Sequence, residues 1–228
     1  MAKPWYRKDR ALLEEIRRRV EEAYPDLKFS ERGRDVVLSG YYPLFEGDRV
    51  YDRYLVELVV PLESPLGLPV VRELAGRIPR VSDRHMEPDG AACIVLPDAF
   101  WYEFPRGMSL IDFLNGPMRV YFGCQTLIES GEKNPWPAGE WAHWAGGIIQ
   151  FYAPLVKSQQ PEVVLGYLEI LKAQKTRGHW LCPCGSGEKL RKCHLALVEE
   201  LRSKIPRAVA AKSWERMVKY LKRPTKVT

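Results

Sequence analysis

The chain has 228 residues, of which 46% are hydrophobic and 28% are charged, as in an ordinary globular protein. This length is enough for one sizeable domain and a small appendage. The formal net charge is +6, and it is unevenly spread: residues 177–228 contain 13 Lys and Arg but only 4 Asp and Glu, which gives this tail +9 and the remainder −3. Such a tail suits nucleic acid, an anionic lipid or an acidic protein face, or is simply a solvated helix surface.

The sequence lacks the patterns of secreted and membrane-spanning proteins. Its first ten residues are polar and charged, unlike a signal peptide. No apolar run approaches the ~18 residues that span a bilayer. We therefore expect a soluble, cytoplasmic protein whose five cysteines form no stable disulfides, because that compartment is reducing. Metal ligation or catalysis is then their expected use.

The N-terminal half predicts one helix followed by strands. Asp9 is placed to cap a helix over residues 10–24, whose apolar side chains recur at helical spacing, and Pro25 ends it. Alternating apolar residues predict a strand at 51–60, and residues 35–42 and 70–74 are also predicted to be strands. The prolines between residues 61 and 69 allow only extended chain and turns.

The following region predicts further helices. The aromatic run at residues 100–105 is expected to be a loop. Ser109 and Asp112 have the spacing of a capping box, which starts a helix running into the 120s with a kink or break at Gly116-Pro117. Further helices are predicted at 148–156, 162–173 and 195–223, the last interrupted at Pro206.

Three cysteines and a histidine lie within thirteen residues near the C-terminal end. Cys182 and Cys184 open this run, and Cys193 and His194 close it. Three thiolates and an imidazole suit tetrahedral zinc, and the two glycines between the pairs allow tight turns. With four protein ligands the zinc would be structural, because a catalytic zinc keeps an open position. The alternative is three ordinary thiols near a surface histidine.

The run resembles the SEC-C motif, a small zinc module first described at the C-terminus of the SecA translocation ATPase. The resemblance implies a bound zinc ion and an adaptor role in protein contacts. We expect residues 1–176 to form a catalytic domain, residues 177–198 the zinc-binding motif, and residues 199–228 a basic helical tail.

A second motif runs from His85 to Cys93. Cys93 follows an Asp-Gly turn and lies eight positions after His85. A cysteine held by a turn with a histidine beside it is a candidate nucleophile. The order of helix, strands, proline-rich connector, cysteine turn and helices over residues 10–155 resembles the ubiquitin-conjugating enzyme (E2) family, in particular bacterial E2-like proteins of antiviral defence operons.

The E2 resemblance implies an α+β domain whose antiparallel meander sheet is flanked by helices. It also implies that Cys93 accepts, as a thioester, the C-terminus of a ubiquitin-like modifier or of a nucleotidyltransferase of the cyclic-GMP-AMP synthase type. The donor would be an adenylated intermediate on an E1-like partner, and a target lysine would attack the thioester.

This chain departs from the family at one tripeptide. E2 enzymes usually have His-Pro-Asn ending eight residues before the cysteine, whereas this chain has Asp83-Arg84-His85. His85 could donate to an oxyanion or take a proton, or it could only stabilise the turn.

Two other interpretations stay open. Cys93 could be a small buried hydrophobe, as lone cysteines often are, and the protein an inactive E2-like adaptor. Nucleic-acid binding through the tail ranks last, because the aromatic residues are concentrated in residues 1–176. Cys124 is expected in the core, and Trp101, Tyr102 and Trp141 either belong to the core or line a groove for the modifier.

Overall fold

The computed structural model of the chain describes residues 3–64, 66–133, 135–136 and 142–222. It divides into two compact units. Unit 1 comprises Met1–Val95 and Gly107–Gly139, and unit 2 comprises Leu96–Arg106 and Glu140–Thr228. Each unit has a hydrophobic core of its own.

The described residues form α-helices and one β-sheet with the following bounds. The helices are α1 (Trp5–Lys8), α2 (Arg10–Ala23), α3 (Pro97–Glu103), α4 (Leu110–Phe113), α5 (Arg119–Glu129), α6 (Ala145–Val156), α7 (Pro161–Lys172), α8 (Leu195–Lys204) and α9 (Arg207–Leu221). The strands are β1 (Leu27–Arg32), β2 (Asp35–Glu46), β3 (Arg49–Val60) and β4 (Val70–Glu73).

Unit 1 is built on a four-stranded antiparallel sheet in the order β1-β2-β3-β4. The three predicted strands are confirmed as β2, β3 and β4. In β3 the predicted alternation is also present, since its second half buries every other side chain: Tyr54, Val56, Leu58 and Val60. The sequence predicts no strand at β1, which is an edge strand with one fully buried residue, Leu27.

The two predicted helix starts in unit 1, at Asp9 and at Ser109, are confirmed, whereas the short α1 was not predicted. The Asp9 carboxylate accepts a hydrogen bond from the Leu12 amide (2.9 Å), and α2 buries Leu13 and Val20. The Ser109 hydroxyl accepts from the Asp112 amide (3.2 Å) at the start of α4. The expected kink at Gly116-Pro117 is a π-helical turn over residues 114–118 that joins α4 to α5. A widened turn accommodates a proline, which has no N–H to donate.

The aromatic segment at residues 100–105 was predicted as a loop, and this prediction was wrong for residues 100–103, which belong to α3. Pro97 occupies the first turn, where its missing N–H costs nothing. Asp98 is fully buried, and its carboxylate accepts from the hydroxyls of Tyr152 (2.7 Å) and Ser213 (2.5 Å). Burial raises the pKa of Asp98. Residues distant in sequence therefore stabilise this helix.

Unit 2 packs α3 and α6–α9 around a common core. The predicted helices at 148–156 and 162–173 are confirmed as α6 and α7, and the tail is helical with an interruption at Pro206 between α8 and α9. The two units divide the chain differently from the segments 1–176, 177–198 and 199–228, which stay a prediction. Across the described part of the chain, no helix has the length and apolar character needed to cross a membrane.

Candidate metal centre and candidate active site

A short backbone hairpin in unit 2 holds Cys182 and Cys184, and Cys193 and His194 follow it directly. The Leu190 amide donates to the Trp180 carbonyl (2.7 Å), and the Cys182 amide donates to the Glu188 carbonyl (2.8 Å). Between these pairings the chain turns at Gly185 (φ 82°) and Gly187 (φ 76°), values that glycine adopts without strain. The hairpin therefore brings the first ligand pair back towards the second.

The ligand atoms converge on one point. The Nδ1 atom of His194 lies 3.2 Å from the sulfur of Cys182 and 3.1 Å from that of Cys193. The sulfurs of Cys184 and Cys193 are 3.5 Å apart, and all four ligand atoms lie within 4.8 Å of one another. Tetrahedral zinc with Zn–S bonds of about 2.3 Å requires sulfurs separated by about 3.8 Å. The spacing and the donor set therefore fit a zinc ion.

The cysteine thiols of the metal cluster have different surroundings. Burial raises the pKa of Cys182, whereas a hydrogen bond with the Ser186 hydroxyl lowers the pKa of Cys184. The hairpin also packs tightly on α7: a Cβ added to Gly166 would lie 2.8 Å from the Cβ of Pro183. The Tyr167 hydroxyl on the same helix is 3.8 Å from the Cys182 sulfur. The metal centre is thus continuous with the core of unit 2.

The SEC-C motif, a zinc-binding type of motif, matches residues 181–196. These residues carry the predicted SEC-C motif. A comparison with curated proteins and with solved structures finds no match to the chain. The motif match covers only this short segment, so the resemblance of residues 10–155 to E2 enzymes stays a prediction.

In unit 1 the His85–Cys93 segment folds back on itself. The Cys93 amide donates to the His85 carbonyl (2.7 Å), and the Glu87 amide donates to the Ala91 carbonyl (2.8 Å). The predicted Asp-Gly turn forms the tip, where Gly90 has a φ of 82°. The backbones of Cys93 and His85 are therefore paired directly, although eight positions separate them.

Neighbouring elements fix this cysteine turn on both sides. On the sheet side, the Ala92 amide donates to the Val71 carbonyl of β4 (2.8 Å). On the helix side, the side-chain amide nitrogen of Gln125 donates to the Arg84 backbone carbonyl (2.9 Å). The Arg84 guanidinium donates in return to the side-chain oxygen of Gln125 (2.6 Å). The Tyr121 hydroxyl lies 3.1 Å from the same carbonyl, and burial raises its pKa, so it remains a phenol.

The side chains at the turn place an acid beside the thiol. Cys93 is half-buried, and its thiol donates to a carboxylate oxygen of Glu87 at 3.3 Å. His85 has left-handed backbone angles (φ 48°, ψ 44°), which are uncommon for a residue with a Cβ and concentrate at functional sites. The edge of its imidazole meets Trp136, with ring centroids 4.6 Å apart.

Sequence reasoning identified Cys93 and His85 but missed Glu87 and Trp136. Glu87 lies inside the nine-residue motif, so its position two residues after His85 was an available signal. Trp136 offered none, because it is 51 residues from His85. Cys124 is buried as predicted, and burial raises its pKa.

The aromatic residues considered for a modifier groove are Trp101, Tyr102 and Trp141. Trp101 and Tyr102 belong to unit 2, where the Tyr102 hydroxyl donates to Glu200 (2.9 Å). Trp141 lies outside the described residues.

Proposed function

We propose that the protein is an E2-like conjugating enzyme that carries the C-terminus of another protein as a thioester on Cys93. The main support is the 2.7 Å backbone hydrogen bond that pairs the main chain of the half-buried Cys93 with that of His85, a residue with left-handed backbone angles. The four-stranded meander and the helix before it are in the order that the E2 resemblance implies.

The proposed reaction has two acyl-transfer steps. The sulfur of Cys93 attacks the activated C-terminal carbonyl held by an E1-like partner, a C–S bond forms, and the leaving group of the activated carboxyl departs. The amine of a target lysine then attacks the thioester carbonyl, so a C–N bond forms and the C–S bond breaks. Each step passes through a tetrahedral intermediate whose oxyanion needs a hydrogen-bond donor.

His85 is the proposed donor to that oxyanion. Its main chain is fixed by Cys93, and its imidazole packs against Trp136, so the ring has a restricted position. An imidazole N–H or an imidazolium can donate a hydrogen bond as the family asparagine does. The acyl donor would be a ubiquitin-like modifier or a cyclic-GMP-AMP-synthase-type nucleotidyltransferase in a bacterial antiviral system, with zinc retaining a structural role.

The first experiment is intact-mass spectrometry of tagged Cys93→Ser protein purified from its native host. Serine replaces a labile thioester with a more durable ester, so we expect a discrete protein adduct that mild base removes. The adduct should be absent from Cys93→Ala and present in Cys93→Ser/Cys124→Ser, since Cys124 is a buried cysteine of the same unit. No adduct, with the partner proteins demonstrably expressed, would count against a carrier cysteine.

The SEC-C match favours one alternative, an adaptor that binds partner proteins without chemistry. In that case Cys93 contributes only packing, and Cys93→Ala leaves the cellular function intact while the protein stays folded. Loss of the function in a folded Cys93→Ala variant supports the enzyme instead.

A further inference from the structure

A carboxylate group lies next to the thiol of Cys93, the proposed nucleophile. The Cys93 sulfur is 3.3 Å from Oε1 of Glu87, within hydrogen-bond reach for a thiol donor. A thiolate and a carboxylate at this separation would repel each other, so loss of the thiol proton is favoured when the carboxylate receives that proton. That proton must leave the sulfur as the sulfur attacks a carbonyl.

The main chain positions Glu87 independently of its side chain. Its amide donates to the Ala91 carbonyl (2.8 Å), and its carbonyl accepts from the Gly90 amide (2.9 Å), which closes the turn. A substitution that keeps the side-chain length should therefore leave the turn in place. The other acid of the turn, Asp89, is directed elsewhere: it accepts from the Ala91 amide (3.1 Å) and pairs with Arg72 (3.6 Å).

We propose that Glu87 is a catalytic residue that accepts the thiol proton of Cys93 during acyl loading and returns it on discharge. This inference rests on the proposed carrier function of Cys93. It assigns proton transfer to Glu87 and leaves His85 as the oxyanion donor.

The proton balance of the two steps is as follows. On loading, the S–H bond breaks as the C–S bond forms, the proton passes to the Glu87 carboxylate, and the leaving group takes the electron pair of its own bond to the carbonyl carbon. On discharge, the C–N bond forms and the C–S bond breaks. The departing sulfur recovers its proton from the carboxylic acid of Glu87, while the attacking nitrogen releases a proton to solvent.

The test compares two reactions of the same thiol at pH 7. In the first, a synthetic peptide that ends in a glycine thioester of 2-mercaptoethanesulfonate transfers its acyl group to Cys93. In the second, uncharged iodoacetamide alkylates Cys93. Both rates are followed by intact mass in the full-length protein, with Cys93→Ala as the blank. The variants are Glu87→Gln, which keeps the side-chain shape, and Asp89→Asn, which removes the same charge from the same turn.

We expect Glu87→Gln to slow acyl transfer by about 100-fold, the usual contribution of a positioned base. Alkylation should be unchanged or faster, because removing a negative charge eases thiolate formation. Asp89→Asn should leave acyl transfer within about threefold of wild type. An equal fall in both rates for Glu87→Gln would mean that Glu87 only maintains the turn, and undiminished acyl transfer would remove it from the proton path; either result overturns the inference.

The same assay separates failure of this inference from failure of the proposed function. If wild-type Cys93 is alkylated but never takes the acyl group, the carrier function itself fails, and the role of Glu87 fails with it. If wild type and Glu87→Gln load equally well, the carrier function stands and only the role of Glu87 is rejected.

Discussion

At the scale of single residues, Arg77 is the centre of the charged network that joins β3 to α5. Its guanidinium lies 2.7 Å from the Asp52 carboxylate and 2.6 Å from that of Glu129, and it sits over the Tyr54 ring at 4.2 Å. A hydrogen bond from Arg77 lowers the pKa of Asp52 to about 2. Folding therefore favours the ionised form of this carboxyl.

The first prediction follows from that pKa. The stability contributed by Asp52 is fully present above the ordinary carboxyl pKa and is lost as the pH falls through about 2. Asp52→Asn should lower the free energy of unfolding by about 1–2 kcal/mol at pH 6, and by roughly half as much at pH 3. Urea titrations at the two pH values measure this difference. Asp48→Asn, at an exposed turn position, should show no such change.

How far the candidate sites could be predicted depends on sequence distance. The four metal ligands lie within thirteen residues, so their spacing alone specifies a cluster. His85 and Cys93 are paired by one turn, which the Asp-Gly dipeptide predicts. The contact between Glu87 and the thiol depends on which way a side chain leaves the turn, and Trp136 reaches His85 through tertiary packing. The place of Glu87 in the motif is a local signal for its nearness to Cys93 but not for the direction of its side chain, whereas the contact of Trp136 with His85 has no local signal.

At the scale of elements, one arginine satisfies the C-terminal end of α7. The Arg202 guanidinium on α8 donates to the carbonyls of Ile170 (3.0 Å), Leu171 (3.2 Å), Ala173 (2.8 Å) and Gln174 (3.2 Å). The last carbonyls of a helix have no partner within the helix, and a cation at this end also interacts favourably with the helix dipole.

The second prediction concerns Arg202→Lys. A single ammonium cannot reach all four carbonyls as the planar guanidinium does, so the variant should lose about 1–3 kcal/mol of unfolding free energy. Chemical denaturation measures the loss, with the exposed Arg207→Lys substitution on α9 as the matched control. Equal stability of the two variants would contradict a capping role for Arg202.

The third prediction concerns the metal. The SEC-C segment at residues 181–196 is too short to bury a core of its own, so metal binding should contribute directly to its folding. We expect one zinc per chain by elemental analysis, and a lower melting temperature after treatment with a strong chelator. Cys182→Ser should reproduce the loss of zinc and of thermal stability, whereas Cys124→Ser should retain the full metal content. Full zinc content in Cys182→Ser would mean that Cys182 is not a ligand.

Two elements show why the fold could be predicted only in part. The second half of β3 buries every other side chain, so periodicity identifies it, and β2 is recognisable as a largely apolar segment. β1 reads Leu-Lys-Phe-Ser-Glu-Arg and is held chiefly by its backbone pairing with β2. Three of the seven residues of α3 are aromatic residues with modest helix propensity, and the contacts of Asp98 with Tyr152 and Ser213 help to stabilise the helix. Rules that use only the local sequence do not detect such distant partners.

At the scale of the whole molecule, each unit is assembled from separate stretches of chain. The chain leaves unit 1 after Val95, contributes residues 96–106 to unit 2, returns for residues 107–139 and then completes unit 2. The core of unit 2 includes Val198, Leu201, Ala210 and Met217 from α8 and α9 as well as residues of α6 and α7.

The fourth prediction is the outcome of ending the chain after residue 176. The remaining α6 and α7 would lose the buried side chains of α8 and α9, and Asp98 would lose the Ser213 hydroxyl. We expect circular dichroism to show a loss of helix larger than the deleted residues account for, together with aggregation. A truncated protein that keeps α6 and α7 folded and monomeric would refute this expectation.

The order of synthesis gives the placement of α3 a further consequence. α3 ends at Glu103, whereas α9, which contacts it in the same core, ends at Leu221. At a synthesis rate of about 5–20 residues per second, α3 waits on the order of 10 s before its last partner has been made. During that interval the carboxyl of Asp98 lacks the Ser213 hydroxyl. A segment in the middle of the nascent chain is therefore exposed to chaperones and proteases until synthesis is nearly complete.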